Sequence, residues 1–163
     1  MSPCPPSGNA SDVTRVTQAG SQIPDSHRDL AERPLYAQLA TVRADGAPLV
    51  NPMWFLWDSE TDAIKLTHTT TRHNYRNVRR EPRVALMITD PNEPLRYMQI
   101  QGVVETIEPD PTGAFYEILQ RRYTGQVGEV GERAERVILV IRPTRVVTGA
   151  GIRERRHAER TQR

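Results

Sequence analysis

The sequence contains one cysteine, two phenylalanines and a single lysine in 163 residues. The cysteine, Cys4, stands in a Pro/Ser-rich start, so a disulfide scaffold or a cysteine metal site within one chain is excluded. No apolar run approaches the roughly 20 residues of a membrane span, and no signal-peptide core stands at the start. The expectation is a cytoplasmic protein without a membrane partner. The nucleophile elbow Gly-x-Ser-x-Gly, the Rossmann glycine fingerprint and the Gly-Lys-Ser/Thr phosphate loop are all missing, so hydrolase and nucleotide-triphosphatase readings lack support. Metal-ligand spacing is missing too: His68 and His73 lie five apart across a turn, and His27 and His157 lie near the ends. Neither a metal nor a catalytic constellation is expected. Lys65 is the only lysine, and every other basic side chain apart from histidine is arginine, as codon bias in a GC-rich genome produces. Any anion site must therefore use arginine, backbone N–H groups and hydroxyls. A net charge of only +2 ties the pI to local clusters rather than to a basic surface.

What is present is organised around strands. Residues 1–25, rich in Pro, Ser, Gly and Thr, read as a disordered leader. Residues 26–150 read as one domain and 151–163 as a charged tail. Ser26 caps a short helix that ends before Pro34. Six strands follow: 36–43, 48–57, 63–69, 84–89, 97–107 and 136–147, joined first by the Ala44-Asp45-Gly46 turn. Gly102 marks a bulge. Helices are expected over 73–80, stopped by Pro82, and from Asp110 as cap with Pro111 at the first position to Tyr123. In the second, Phe115, Ile118, Leu119 and Arg122 share one face. The loop 124–131 is glycine-containing. The pattern predicts a mainly β fold: a six-stranded antiparallel barrel with two or three short helices.

The stretch from Pro48 to Arg83 carries the chemistry. An apolar hairpin, PLVNPMWFLWD, leads through Ala63–Thr69 to Thr69, Thr70 and Thr71, and these precede a helix holding Arg72, His73, Asn74, Arg76 and Asn77. Hydroxyls and free N–H groups at a helix start, with guanidinium forks nearby, suit an anion such as a phosphate. The same arginines also suit a solvated face, the usual place of a charged run. Asn51, Pro52, Met53 and Trp54 offer a surface for a flat ring. Aromatics on both faces of one strand fit a dimer interface as well as a ring platform. Nucleic acid is disfavoured as a partner, because Glu154 and Glu159 interrupt the arginine-rich tail and no aromatics interleave with it.

Taken in order, LATVRADGAPLVNPMWFLWD, TTTRHNYRNVRREPRVAL, YMQIQGVVETIE and RVILVIRPTRVVTGAG resemble the split β-barrel superfamily named after pyridoxamine 5′-phosphate oxidase, over roughly residues 33 to 151. NVRREPRVAL after a hydroxyl-rich turn is the most specific piece. The chain is most similar to the branch that uses the deazaflavin coenzyme F420. The resemblance implies an FMN-binding-like split barrel and a homodimer with two cofactor sites at its interface. It also implies hydride transfer to a small organic acceptor that the sequence does not identify. Arg72 matches an arginine of the family's strand-to-helix turn, Asn77 the asparagine before the Leu/Val-Arg-Arg run, and Asn51 to Trp54 the strand beside the ring. Asn74 departs from the pattern, because the family commonly has lysine there, and Arg72, His73 or Arg76 are the candidates to supply that charge. The C-terminal phosphate-binding signature of true pyridoxamine phosphate oxidases is absent, which argues against vitamin B6 oxidation.

Such chemistry belongs to the cofactor, which explains the missing acid–base constellation. FMN is the alternative cofactor. It needs one phosphate pocket, whereas arginines spread over more than one helix turn suit the longer anionic tail of the deazaflavin. A non-catalytic flavin- or haem-binding protein of the same fold is a further alternative, with His68 or His73 as the axial candidate.

Overall fold

A computed structural model describes residues 19, 20 and 22–151. One antiparallel sheet curls into a half-barrel in the order β3-β2-β6-β7-β8-β5-β4, with β1 attached to β8. The strands are β1 (Ala19–Gly20), β2 (Ala37–Val42), β3 (Pro48–Met53), β4 (Phe55–Asp58), β5 (Ala63–Thr69), β6 (Arg83–Asp90), β7 (Glu93–Pro109) and β8 (Arg136–Ala150). Among the described residues α-helices decorate it at α1 (Arg28–Glu32), α2 (His73–Arg80) and α3 (Ala114–Thr124). The architecture is the expected mainly β split barrel with short helices. Among the described residues it has eight strands rather than six, because the predicted 48–57 strand breaks at Trp54 and a two-residue strand pairs with Val146 and Val147. Of the predicted leader, residues 1–18 and 21 lie outside the described residues, as does the tail after Gly151. Ile23 within it is buried in the core.

Alternation decides which side of each strand faces inward. Ala37, Leu39 and Thr41 of β2, Val84, Leu86 and Ile88 of β6, and Val137, Leu139 and Ile141 of β8 all point into one core, joined by Phe55, Leu66, Met98 and Ile100. The long pair β7–β8 is the spine of the barrel, running from Arg96↔Ala150 to Pro109↔Val137. Its register shifts at Gln101/Gly102, where the glycine signalled a bulge. A Cβ at Gly102 would lie 2.7 Å from Ile141 Cγ2 and 2.8 Å from Arg142 O, so the two strands approach too closely there for any side chain.

Helix α3 starts later than the sequence pattern predicts. The N–H of Asp110 is still held by Arg136 O at 2.9 Å, and Gly113, at φ 72°, turns the chain before Ala114. Asp110 and Pro111 therefore sit in the turn ahead of the helix, though Asp110 Oδ2 accepts from Tyr116 N at 3.4 Å. Phe115, Leu119 and Gln120 face inward, whereas Ile118 of the predicted face is exposed. Arg122 points to the end of α1 and donates to the carbonyls of Ala31, Glu32 and Arg33, satisfying acceptors that the short helix leaves open. Among the described residues no helix is long and apolar enough to cross a membrane.

Candidate functional site

The inner face of α2 is mostly amide. Asn74, Asn77 and Val78, spaced i, i+3, i+4, are its buried residues. Two buried amides need partners in a low-dielectric interior. They find them in Thr41, the one polar side chain on the inward row of β2. Asn77 Nδ2 donates to Thr41 Oγ1 at 3.0 Å, and Thr41 Oγ1 donates to Asn74 Oδ1 at 3.1 Å. Asn74 Nδ2 then donates to Asn51 Oδ1 on β3 at 3.2 Å. The chain of bonds locks β2, β3 and α2 together. It also explains an uncharged residue at 74: the position is 4 % exposed and already saturated by neutral partners, so a lysine ammonium placed there would meet no counter-charge.

The turn before α2 is closed by the segment that precedes β8. Thr70 N donates to Glu135 O at 2.9 Å, and Thr70 Oγ1 donates to Glu135 Oε2. Thr71 Oγ1 donates to Glu132 Oε1 at 3.2 Å, and Arg72 NH2 reaches Glu132 Oε2 at 3.4 Å. Glu132 itself has φ 51°, a left-handed backbone uncommon outside glycine. Arg76 NH2 donates to Thr71 O at 2.9 Å. Two of the three threonine hydroxyls are thus committed to carboxylates of the protein itself.

Trp54 explains the break between β3 and β4. Tyr116 and Tyr123 lie seven residues apart on α3, two helical turns and about 10.5 Å along the axis. The Trp54 ring inserts between them, 5.9 Å from Tyr116 and 5.1 Å from Tyr123, with interplanar angles of 24° and 13°. On Tyr116 also lies the Arg136 guanidinium, 3.7 Å from its ring centroid. Tyr123 Oη repairs the broken ladder by accepting from Phe55 N at 3.0 Å, and it donates to Leu35 O at 2.6 Å. Both faces of Trp54 are therefore occupied by side chains of α3, so its edge, not its face, is what a ligand ring can meet.

These elements enclose a cleft of about 650 Å3 between β3, β5, α2 and the segment around Glu132. Of the residues expected from the sequence, Asn51, Pro52, Met53, Trp54, Thr69, Arg72, His73 and Asn74 line it. Thr70, Thr71, Arg76 and Asn77 do not line it and act behind it, through the bonds described above. The wall also includes His68, expected only as an axial candidate for haem, and Tyr36, Thr67, Tyr116, Glu132 and Arg136, which sequence reasoning left out of the site. The seven-residue spacing of Tyr116 and Tyr123 was the one local signal that could have pointed to α3.

His68 is half-buried in this wall. Its Nδ1 lies 2.9 Å from Thr69 N and 3.2 Å from Thr69 O, so the same backbone unit can serve that nitrogen as donor or as acceptor. Burial pushes its pKa below the ordinary 6.5, and the positive charges of Arg72 and Arg136 press the same way, against Thr69 O and Glu132. Both effects favour the neutral ring over the cation. Among the described residues no cluster of His, Cys, Asp and Glu could hold a metal ion.

The family model described as pyridoxamine 5′-phosphate oxidase matches residues 23–148. The chain belongs to this family. No curated protein matches it. Among solved structures, the barrel is similar to an F420 reductase, at 50% identity and TM-score 0.72, over 76% of this chain and 98% of that one. A conserved hypothetical protein from Mycobacterium tuberculosis shares the fold at 24% identity and TM-score 0.63, over 85% and 92% of the two chains. General Stress Protein 26 from Bacillus anthracis does so at 18% identity and TM-score 0.60, over 78% and 93%. Family membership and the 50% identical relative together support a flavin- or deazaflavin-linked function.

Proposed function

We propose that the protein is an F420H2-dependent oxidoreductase that passes hydride from the reduced deazaflavin to a small organic acceptor, as a cytoplasmic homodimer. The observation that carries this reading is the 50% identity to an F420 reductase along 98% of that chain. The cleft fits such a group in size and chemistry. Its volume lies in the range of ordinary cofactor pockets, Pro52, Met53 and Trp54 offer an apolar wall, and Arg72 and Arg136 supply positive charge. When bound, the deazaflavin supplies the hydride, with no protein acid or base required for that transfer. The chain's own residues position and shield. The Asn77–Thr41–Asn74–Asn51 chain fixes the strand beside the ring. His68 gives the cleft wall a ring nitrogen for a polar atom of the ligand, and the Trp54–Tyr116 stack keeps water from one side. Tyr36 and Val50, 55 % and 57 % exposed beside the cleft, support a site completed by the second subunit.

Separate titrations with F420, FMN and haemin, followed by fluorescence or absorbance, test the reading. Saturable binding of F420, and oxidation of F420H2 with an acceptor, are expected. Tight FMN binding with no response to F420 replaces it with an FMN-binding oxidoreductase of the same fold. Haemin binding alone replaces it with a non-catalytic carrier.

A further inference from the structure

The charges around the cleft are not equivalent. Arg72, the cation anticipated from the sequence, is already paired: Glu132, the one carboxylate among the described residues that line the cleft, lies 3.4 Å from its NH2 and also takes the Thr71 hydroxyl. The Arg72 side chain is 65% exposed, so solvent screens it and little holds it in place. Arg136 is built differently. Its guanidinium lies on the Tyr116 ring, Nε donates to Gly131 O at 2.9 Å, and NH1 reaches Thr67 Oγ1 at 3.4 Å. All three contacts are with neutral groups, and among the described residues no carboxylate pairs with it. The column Tyr123–Trp54–Tyr116 supports it from behind, so a ligand binding there would immobilise little that is not already fixed.

We infer that Arg136, not Arg72, grips the phosphate of the cofactor, while Glu132 holds Arg72 neutralised at the rim. This rests on the cofactor reading given above and deepens it. A guanidinium fixed on neutral partners keeps its full charge for an incoming anion and can donate through the NH2 that no described residue engages. An anion approaching Arg72 must first compete with Glu132.

The test compares Arg136→Gln, Arg136→Lys and Arg72→Gln in F420 and FMN titrations, with near-UV circular dichroism reporting the aromatic column. Arg136→Gln is expected to lose about ten- to a hundredfold in affinity, as for a missing charge-assisted hydrogen bond. Arg72→Gln is expected to lose less than about fivefold, the scale of an exposed pair. Arg136→Lys keeps the charge without the fork and falls between, with the column intact. Unchanged affinity in Arg136→Gln, or an equal or larger loss in Arg72→Gln, overturns the assignment. Inorganic phosphate separates this from the cofactor reading. If the wild type binds neither cofactor, that reading falls, and 15N NMR with phosphate still decides the assignment. A phosphate-dependent shift of the Arg136 Nε signal supports it, and no shift overturns it.

Discussion

A half-buried histidine beside two arginines is the clearest case of chemistry set by a single side chain. Desolvation lowers the pKa of His68, and the charges of Arg72 and Arg136 add to it, so the folded protein gives up the proton at pH values where the unfolded chain keeps it. The sign follows. Between the lowered folded pKa and the ordinary 6.5 the unfolded state binds more protons, so stability rises with pH across that window. Urea unfolding measured above and below 6.5 is expected to show wild-type stability falling as pH drops through that value, and His68→Gln flattening the slope. An unaltered slope in the variant would remove His68 as the cause. At this scale the sequence marks Asn51, Asn74 and Asn77 for separate reasons, and the structure joins Asn77 to Asn74 through Thr41 and Asn74 directly to Asn51. Thr41 itself carried no mark, because a threonine on a β-strand reads as ordinary alternation until its inward neighbours prove to be amides.

Elements were read well where a periodic pattern ran unbroken and poorly where a distant ring intervened. Helix α2 was expected over 73–80 and is found over His73–Arg80, ended by Pro82. Strand 48–57 was not recovered whole, because Trp54 leaves the sheet to enter the gap between Tyr116 and Tyr123. Nothing within ten residues of Trp54 encodes that gap. The break leaves Phe55 N without a strand partner, and Tyr123 Oη takes its place. Tyr123→Phe is therefore expected to destabilise the protein by about 1–3 kcal/mol, the cost of stranding a buried donor. A wild-type urea midpoint in that variant would show that the hydroxyl is dispensable. Helix α3 also begins three residues later than Pro111 suggested, since Asp110 stays bound to β8.

At the level of the whole molecule, the half-barrel ends in two edge strands, β3 and β4. An uncovered edge invites pairing or burial, and the outward row of β3 is Pro48, Val50 and Pro52, all exposed. The proposed homodimer covers this row and the Tyr36 side of the cleft. Light scattering is expected to give twice the mass of the chain, and a stable monomer would count against a shared site. The sequence alone determined the antiparallel barrel, the place of α2 and the strand that borders the cleft. Those follow from alternation, prolines and glycines acting over a few neighbouring residues. The proposed choice of Arg136 over Arg72 as the cation that meets the ligand rests only on tertiary structure. Glu132 and Arg136 lie some sixty residues beyond the threonine turn, and the β5–β8 pairing brings them to it, one to neutralise Arg72 and the other to remain charged on the face of Tyr116.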